Sequence, residues 1–486
     1  MKLAADIMMK ELSANKLRIQ KASDLLAPLR AKYLRRNRYY NNDLVRFYGF
    51  NIPEGSKILE IGCGTGDLLN SLKPSRGVGI DISGEMISRG KSNFPYLEFH
   101  QMDAEDLTLN ETFEYVVISD TLGLLEDIQR AFKELNKVVT PETRIVINYH
   151  NFFWLPVLSL AERLHLKMPQ PRLNWLNRED ISGLLRLEGF DIIKTGRRFL
   201  FPKYIPALSW FINKYIAFLP LFNQLCFIGH IVARLEGNAP QDNDLYSVTV
   251  VIPARNEKGN IEDAVKRTPN MGKHTEIIFV EGNSTDDTLE EIKRVCETYR
   301  NVRDLSYYVQ PGKGKGDAVR KGFENAKGDI LMILDADLTV PPEDLPKFYN
   351  AIATGKGEYI NGTRLVYPME KEAMRGLNLL GNKFFSMIFT WLLGQRMKDT
   401  LCGTKVLSRK NYEKLIANRS YFGEFDPFGD FDLIFGAAKL NLKTIEVPIR
   451  YRAREYGDTN ISRFRHGLIL LRMVFYAMNK IKFIGK

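Results

Sequence analysis

The chain has 486 residues, of which 44% are hydrophobic and 26% charged, and its formal net charge is +11. This composition is that of a globular protein, and the length provides for two or three domains with separate cores. The positive balance predicts anionic partners, such as phosphate-bearing substrates or an anionic membrane surface. Four scattered cysteines exclude a disulfide framework and a CxxC-type zinc site, which favours a reducing cytoplasm: Cys63, Cys226, Cys296 and Cys402.

Residues 1–45 are predicted to form a basic helical arm, because lysines and arginines are interleaved there with leucines and tyrosines. The opening residues lack the continuous apolar core of a secretory signal. From Lys57 onward strand-like and helix-like segments alternate, which predicts a domain with a mostly parallel sheet over residues 46–236. Its predicted strands include Ile58–Ile61, Gly77–Ile80, Tyr115–Ser119 and Arg144–Asn148.

Two segments of this half do not follow the alternation. Residues 152–178 carry Trp154, Trp175 and three prolines, and they are interpreted as an insertion over the carboxyl edge of the sheet, a candidate lid or substrate cap. Residues 237–246 lack apolar periodicity and are predicted to link two domains.

A glycine-rich turn follows the first predicted strand. Gly62, Gly64 and Gly66 permit a tight turn from strand to helix, so that backbone amides approach a ligand closely. The spacing GxGxG differs from the GxGxxG pattern of dinucleotide sites. Three acids are predicted along the same edge of the sheet, one of them placed for ribose hydroxyls: Glu60, Asp81 and Asp103.

Four motifs in this order resemble the class I S-adenosylmethionine-dependent methyltransferases: ILEIGCGTGDLL, VGIDIS, QMDAEDL and YVVISDTLGLLEDIQRAF. The resemblance implies a Rossmann-like fold whose glycine turn holds the methionine part of the cofactor, with Asp81 on the ribose and Asp103 near the adenine amine. It places Asp120 at the substrate edge. His150, at the end of the fifth strand, is a candidate general base for an oxygen nucleophile, with a structural role as the alternative. The methyl acceptor does not follow from the sequence.

The second half begins another alternating pattern at Ser247, and polar groups follow three of its predicted strands. Such groups meet at the carboxyl edge of an open parallel sheet, where ligands bind. Pro253, Ala254 and Glu257 follow the strand Val248–Ile252, Glu281 follows Glu276–Val280, and Asp335 and Asp337 follow an apolar run that ends at Leu334.

The last of these groups has the chemistry of a metal site. Asp335 and Asp337 offer hard oxygen ligands, which suit Mg²⁺ or Mn²⁺ carrying a diphosphate. Lys313 and Lys315 lie in a glycine-rich segment whose flexible backbone and ammonium groups suit a diphosphate. The sequence therefore predicts binding of a nucleotide-diphosphate donor.

Ordered motifs of this half resemble the family 2 glycosyltransferases of the dolichyl- or polyprenyl-phosphate sugar synthase type. The resemblance covers residues 247–465 and implies a GT-A fold, a UDP- or GDP-sugar donor, a divalent metal and inversion at the anomeric carbon. The motifs are VVIPARNEKGNI, FVEGNSTDDT, GKGDAVRKGFENAKGDILMILDADLTVPPEDL, GTRL, DTLCGTKVL and VPIRYRAREYGDTNISRFRHG.

The same resemblance assigns roles to single residues. Asp337 is the main metal ligand, with Asp335 contacting the donor or the metal. Donor contacts are implied for the polar groups after the strands and for the two lysines: Pro253, Ala254, Glu257, Glu281, Lys313, Lys315 and Asp335. Arg364, Arg375 and Arg454 match positions that hold the acceptor phosphate, and Asp430 and Asp432 are candidate bases for a hydroxyl acceptor.

Three positions depart from the family pattern, so the donor's identity is not carried over. Glu281-Gly282 replaces the usual acidic pair after the second strand, which puts base recognition in doubt. Thr339 stands where polyprenyl-phosphate mannose synthases often have a glutamine ligand, and Asn460 replaces a common lysine.

Two apolar stretches approach the length of a membrane span without reaching it. Tyr204–Ile231 and Gly467–Phe483 are both interrupted by polar and charged residues. They are interpreted as helices lying on a bilayer surface, with packing against the protein body as the alternative. Residues 466–486 are predicted to form a basic amphipathic helix.

The resulting hypothesis is a cytoplasmic enzyme, peripheral at the inner face of the membrane, that transfers a sugar from a nucleotide-sugar to a polyprenyl phosphate or glycolipid and carries an S-adenosylmethionine-dependent methyltransferase domain. One alternative is a glycosyltransferase for a hydroxyl acceptor with a non-catalytic cofactor-binding domain. The other is a basic nucleic-acid-binding protein, which no recognition motif supports.

Overall fold

The computed structural model describes residues 12–171, 174, 176–237, 245–364, 376–421, 431–450, 456 and 463–483. The chain divides into two compact units, Met1–Leu235 and Glu236–Lys486. Each unit has a seven-stranded sheet of its own.

The first unit begins with helices α1 (Ala14–Leu26), α2 (Arg30–Arg36) and α3 (Arg38–Asn51). Ser13 caps α1, because its Oγ accepts a hydrogen bond from the Lys16 backbone N–H at 3.2 Å. The predicted boundary at residue 45 falls inside α3, whose Leu44, Phe47 and Tyr48 are buried in the core of the unit. The aromatic face of α3 therefore packs as part of the domain body, and only the preceding helices resemble a separate arm.

The sheet of the first unit has the order β3-β2-β1-β4-β5-β7-β6. The first five strands pair in parallel, and β7 runs antiparallel to β5 and β6. The four predicted strands are present, since strands buried on both faces of a parallel sheet are continuous apolar runs. The strands are β1 (Lys57–Ile61), β2 (Arg76–Asp81), β3 (Glu98–Gln101), β4 (Tyr115–Ser119), β5 (Arg144–His150), β6 (Phe190–Arg198) and β7 (Ile228–Leu235).

Helices cover this sheet and extend from its edge. Helices α4, α5 and α6 follow β1, β2 and β4, the pair α7 and α8 follows β5, and α9 and α10 lie between β6 and β7. Their bounds are α4 (Asp67–Ser71), α5 (Gly84–Asn93), α6 (Ile128–Leu135), α7 (Leu155–Arg163), α8 (Arg178–Leu187), α9 (Leu208–Lys214) and α10 (Pro220–Asn223).

The interpretation of Tyr204–Ile231 as helical and lying on a bilayer surface is wrong in its last part. The helical part of this stretch comprises α9, a 3₁₀ turn at Ile216–Phe218 and α10, and β7 begins at Ile228, which is fully buried. The apolar run was ambiguous because its final residues form a central strand, while the aromatic residues before them lie at the surface.

The sheet of the second unit has the order β10-β9-β8-β11-β13-β12-β14. Its strands β8 to β11 pair in parallel, whereas β13 is antiparallel to both β11 and β12. The core lies mainly around β8, β9 and β11. The strands are β8 (Ser247–Ala254), β9 (His274–Glu281), β10 (Asp304–Val309), β11 (Ile330–Ile333), β12 (Tyr359–Thr363), β13 (Lys405–Ser408) and β14 (Thr444–Pro448).

In the second unit, a helix lies between each pair of successive strands from β8 to the antiparallel β13. Their bounds are α11 (Ile261–Arg267), α12 (Thr288–Tyr299), α13 (Lys315–Asn325), α14 (Leu345–Ala353), α15 (Gly376–Leu393), α16 (Arg409–Ala417), α17 (Phe431–Lys439) and α18 (Arg463–Ala477), which continues as a π-helical turn, Met478–Lys482.

Helix α18 does not lie free on the surface. Leu470, Met473 and Val474 are buried, and Lys482 places its Nζ 5.6 Å from the centre of the Trp391 ring on α15. Burial lowers the pKa of Lys482 to about 8. Packing against the body, the alternative left open by the sequence, therefore describes most of this helix. Within the described residues, no helix combines the length and apolar character needed to cross a bilayer.

Candidate functional sites

A cavity of about 730 Å³ lies in the first unit. Six of the seven residues predicted to bind the cofactor line it: Glu60, Gly62, Gly64, Asp81, Asp103 and Asp120. The seventh, Gly66, caps α4 instead, with a φ of 78°, where a Cβ atom would collide with the Phe99 ring. Parallel strands bring these positions together because β1, β2, β3 and β4 all end at one edge of the sheet.

The backbone of the glycine turn approaches Asp81 closely enough for a hydrogen bond. Gly62 and Gly64 have φ values of 71° and 55°, in the region that favours glycine. The Gly64 N–H donates to Asp81 Oδ2 at 2.9 Å, and the Ser83 N–H donates to Asp81 Oδ1 at 2.9 Å. Burial raises the pKa of Asp81 although these donors oppose the shift. The carboxylate is thus fixed in orientation at the edge of the cavity.

Glu60 lies deeper than its neighbours and is almost fully buried. Its Oε2 accepts a hydrogen bond from the Leu69 N–H at 3.0 Å, which anchors the helix after the glycine turn. Burial raises the pKa of Glu60 to about 8, against the opposing field of Arg30. Glu60 therefore lines the cavity and also holds the helix α4 in place.

The arm closes over the cavity, which the sequence did not reveal. Lys16 Nζ lies 2.6 Å from Asp103 Oδ2 and 2.6 Å from Glu105 Oε2. Arg30 Nε donates to Thr65 Oγ1 at 3.1 Å, directly over the glycine turn. The only signal in the sequence was the basic composition of the arm, since the partners are distant along the chain.

At the ends of β4 and β5, a second polar group lines the cavity. Tyr40 OH donates to Asp120 Oδ2 at 2.6 Å, and Asn148 Nδ2 donates to Asp120 Oδ1 at 2.5 Å. His150 Nε2 lies 3.5 Å from Asp120 Oδ1 and 3.3 Å from Tyr40 OH. Burial lowers the pKa of His150 despite the field of Asp120. The structure thus brings His150 and Asp120 together and adds Tyr40, which the sequence reasoning missed.

Asp120 also has an unusual backbone. Its φ is 54°, in the left-handed region that non-glycine residues seldom occupy. Such conformations cost free energy and often occur at functional sites. The conformation carries the carboxylate away from β4 and towards Tyr40 and His150.

The residues of the cavity suit S-adenosylmethionine by their donor chemistry. Carboxylates at the ends of β2 and β3 match the cofactor's hydroxyl and amine groups, and Gly62 and Gly64 of the glycine turn line the same cavity, beside the expected place of its amino-acid part. The Arg30 guanidinium beside that turn is placed to attract a carboxylate.

In the second unit, Asp335 stands directly after β11 in a cationic surrounding. Lys315 Nζ, on the first residue of α13, lies 2.6 Å from Asp335 Oδ1. Burial opposes ionisation of Asp335, but the fields of Lys315, Lys405 and Arg364 together keep its pKa below the ordinary value. A Cβ atom on Gly403 would overlap the Asp335 carboxylate, so only glycine fits there.

Asp337 follows within the same turn. Thr339 donates to Asp337 Oδ1 from both its backbone N–H, at 3.2 Å, and its Oγ1, at 2.9 Å. The residue that replaces the family's glutamine therefore orients Asp337. Among the described residues, no group of three or more His, Cys, Asp and Glu side chains is arranged to hold a metal ion. Two carboxylates nevertheless suit Mg²⁺ or Mn²⁺, which take further ligands from water and substrate phosphates.

The predicted donor residues lie at the ends of β8 and β9. Glu281 Oε1 accepts the Ser284 N–H at 2.6 Å, and Glu257 Oε2 accepts from Asn260 Nδ2 at 2.7 Å. Both acids are buried and hold the loops after the two strands. Pro253 and Ala254 close β8, and Lys313 and Lys315 flank the start of α13.

The remaining predicted residues differ in their surroundings. The Arg364 guanidinium forms two hydrogen bonds with Asp399, at 2.7 and 2.8 Å, and is thus held in a buried ion pair. Asp432 Oδ2 lies 3.7 Å from Arg320 Nη1 and 3.4 Å from Arg419 Nε. Three of the predicted site residues lie outside the described part of the chain: Arg375, Asp430 and Arg454.

Two family models match the chain in the order that the folds suggest. Residues 33–195 match the methyltransferase domain family, and residues 249–416 match glycosyl transferase family 2. The chain therefore carries a Rossmann-like methyltransferase domain followed by a GT-A glycosyltransferase domain of family 2.

Curated relatives match the second half. Glycosyltransferase AglJ of Haloferax volcanii is 28% identical over 226 residues, covering 46% of this chain and 69% of the relative. The dolichol-phosphate mannosyltransferase of Saccharomyces cerevisiae is 39% identical over 109 residues, covering 21% of this chain and 40% of the relative. The dolichol-phosphate mannosyltransferase of Pyrococcus furiosus is 28% identical over 224 residues, covering 44% and 59%. The chain is thus a fusion whose second domain is similar to dolichol-phosphate mannosyltransferases, and for two of these three relatives it covers about half of their length.

Proposed function

We propose that the chain is a bifunctional enzyme that transfers a sugar from a UDP- or GDP-sugar to a polyprenyl phosphate or glycolipid, and that methylates a product of the same pathway. The observation that carries the proposal is the Asp335 and Asp337 pair after β11, next to Lys315. Two of the relatives are named for mannosyl transfer to dolichol phosphate, which supports the acceptor class.

The glycosyl transfer depends on alignment and charge neutralisation, because a lipid phosphate is already an anionic nucleophile. Asp335 and Asp337 would hold Mg²⁺ or Mn²⁺, which supplies positive charge to the donor diphosphate when bound. Lys315, at the start of α13, pairs with the Asp335 carboxylate and adds a further cation to the site. A lipid phosphate that attacks the anomeric carbon directly inverts its configuration.

The acceptor phosphate would meet Arg364, Arg375 and Arg454. Arg364 is held by Asp399 in the described structure, so its guanidinium is oriented before an acceptor arrives. The Arg364 charge also contributes to the lowered pKa of Asp335, which supports a position for Arg364 beside the donor site.

In the first unit, S-adenosylmethionine would supply an electrophilic methyl group when bound. His150 is neutral at ordinary pH because burial lowers its pKa, and its Nε2 can take the proton of an acceptor hydroxyl. The imidazolium that results faces Asp120 Oδ1 at 3.5 Å, which stabilises the charge. Asp120 is oriented in turn by Tyr40 and Asn148.

A hydroxyl acceptor for the glycosyltransferase is the second candidate, with Asp430 or Asp432 as base. Its test compares two substitutions in the full chain. Asp432→Ala abolishes transfer if a base is required, whereas Arg375→Ala abolishes it if an acceptor phosphate is bound. We expect the arginine variant to be the more damaging, because Asp432 lies between Arg320 and Arg419.

A non-catalytic first domain is the other alternative. An assay with methyl-labelled S-adenosylmethionine and a lipid fraction that contains the glycosylated product distinguishes a catalytic first domain from a non-catalytic one. Methyl label in the lipid phase, lost in His150→Gln but with cofactor binding retained, supports catalysis. Tight cofactor binding without methyl transfer to any fraction would assign the domain a sensing role.

The proposed location is the cytoplasmic side of the membrane, in peripheral contact, where a polyprenyl phosphate is accessible. A nucleic-acid partner is not part of the proposal. Fractionation of cells that express the full chain tests the location, because a peripheral protein leaves the membrane pellet at high salt or alkaline pH.

A further inference from the structure

The first unit exposes an unusual number of large apolar side chains in two segments. Residues 152–166 expose Phe153, Leu160 and Leu164 by 56 to 69%. Residues 204–225 expose Trp210 and Leu221 by 51% and 76%. Soluble surfaces seldom cluster such residues, and larger apolar patches mark interaction sites.

Hydrogen bonds join these two segments. Trp154 Nε1 donates to the Leu225 carbonyl at 2.8 Å, and Asn151 Nδ2 donates to the Gln224 carbonyl at 3.0 Å. The exposed residues before and after these contacts therefore belong to one surface. We call residues 152–171 and 199–225, together with residues 31–42 of the arm, the docking face.

The arm joins both segments. Asn37 Nδ2 donates to the Leu166 carbonyl at 3.3 Å on one side. On the other side, Asn213 Nδ2 donates to Tyr39 OH at 3.0 Å, and the Tyr39 and Tyr204 rings are 5.4 Å apart. The three segments thus form a continuous face.

The charge of the docking face is strongly one-sided. Its three segments contain eight lysines and arginines and a single acid, Glu162, which is paired with Lys167 at 2.6 Å. Lys214 Nζ lies 4.9 Å from the centre of the Trp210 ring, so a cation accompanies the exposed aromatic residue. Aromatic and aliphatic side chains with basic residues between them are the composition of surfaces that bind anionic bilayers.

The cavity of the first unit opens on this face. Val157 and Leu166 line the cavity and are also 52% and 36% exposed, and Lys203 is a third lining residue from the face. Tyr40 and His150 line the same cavity. The centre of the His150 ring lies 4.7 Å from that of Phe227, which packs against Trp154 of the face at 5.3 Å. A ligand that enters from the face therefore reaches the proposed methyl-transfer residues.

We propose that the docking face binds an anionic lipid bilayer, so that the methyl acceptor enters the cavity from the membrane as a lipid-borne hydroxyl. This inference rests on the proposed methyltransferase function for the acceptor, but the docking itself does not require catalysis. The apolar side chains supply affinity, the eight cations supply selectivity for anionic lipid, and the mouth at Val157 and Leu166 supplies the path.

The test uses the full-length protein and sedimentation with two kinds of vesicle. One is phosphatidylcholine alone, and the other is phosphatidylcholine with phosphatidylglycerol. We expect Phe153→Glu combined with Leu221→Glu to lower the partition onto anionic vesicles about tenfold or more. The two exposed apolar side chains would no longer enter the bilayer, and the carboxylates that replace them are repelled by the anionic lipid. The matched control is Leu187→Glu on α8, which is 70% exposed outside the face.

Hydrogen exchange on the same vesicles provides a second reading that does not depend on the folding of a variant. Protection of residues 152–171 and 199–225, without protection around Leu187, supports the proposal. Equal vesicle binding by the double variant and the control, or no protection of the face, overturns it. A change of mass in solution instead of vesicle binding also overturns it and assigns the face to a second copy of the chain. None of these readings requires methyl or glycosyl transfer, so failure of the proposed enzymatic function would be seen separately in the transfer assays.

Discussion

At the scale of single residues, Tyr40, Asp120 and His150 form one hydrogen-bonded group in the cavity of the first unit. Asp120 accepts from Tyr40 and faces His150, and its left-handed backbone turns the carboxylate towards both. The family resemblance suggested Asp120, and His150 was suggested by its place at the end of the fifth strand. Neither observation selected Tyr40, because 80 residues separate it from Asp120 along the chain.

Substitution of His150 tests its role as a base. We expect His150→Gln to lower the rate of methyl transfer about 10²-fold or more, while cofactor binding is retained. In the wild type, burial lowers the pKa of His150 from 6.5, so the neutral base persists as the pH falls through 6.5. The acid limb of the rate profile is therefore expected below pH 6.5 in the wild type and absent in the variant. His100→Gln, a partly exposed histidine of the same unit, is the control, and an unchanged profile in His150→Gln would contradict the assignment.

Glu60 is expected to make the first unit less stable as the pH rises. Burial raises its folded pKa from 4.5 to about 8, so between these values the unfolded chain releases a proton that the folded unit retains. Rising pH then favours unfolding, by up to about 1.4 kcal/mol per pH unit for this group. Glu60→Gln removes the effect. The thermal midpoint of the variant minus that of the wild type should therefore increase from about pH 5 to about pH 8. A difference that does not vary with pH would show that Glu60 is ionised in the folded unit.

Gly403 tests the close approach at the glycosyltransferase site. A methyl group there would displace the Asp335 carboxylate, and misplacement by about 1 Å commonly costs about a hundredfold in rate. We expect Gly403→Ala to lose glycosyl transfer to about that extent and to keep methyl transfer. Gly381→Ala in α15 is the matched control, because a Cβ atom there meets no neighbour within 4 Å. Equal activity of the two variants would exclude the tight fit.

At the scale of elements, α1 closes the cofactor cavity with the ion-paired Lys16 as well as with the apolar Ile19 and Leu26. Lys16 is held between Asp103 and Glu105 and is only 12% exposed. The strands that carry the acids were predictable, because buried parallel strands are apolar runs followed by polar residues. The closure by α1 was not, since 87 residues separate Lys16 from Asp103 and no periodicity records the contact.

We expect Lys16→Met to open the arm and to speed cofactor dissociation about tenfold, a change equivalent to ~1.4 kcal/mol. Stopped-flow release of S-adenosylmethionine measures the rate, with glycosyl transfer as an internal standard. Lys21→Met, an exposed lysine on the same helix, should leave the rate unchanged. Tighter binding of S-adenosylmethionine by Lys16→Met would contradict this expectation, because it would mean that Lys16 competes with the cofactor for the Asp103 carboxylate.

At the scale of the whole molecule, two units with separate cores carry two transferase sites on one chain. Both fold classes were predictable, because each unit repeats strand, helix and polar strand end in a fixed order. The extent of each domain was less so. α3 joins the body through Leu44, Phe47 and Tyr48, and α18 packs through Leu470 and Met473, although both appeared from their charge to be surface helices.

Transfer of labelled sugar into an organic-extractable lipid is the most direct measurement of the central proposal. Wild type and Asp337→Ala are compared on a panel of UDP- and GDP-sugars, with and without polyprenyl phosphate and with Mg²⁺ or Mn²⁺, and Asp81→Asn is the control in the other unit. We predict transfer from one donor class that requires lipid, metal and Asp337 and is unchanged in Asp81→Asn. Lipid-dependent transfer that persists in Asp337→Ala, or no transfer to lipid from any donor, would contradict the account.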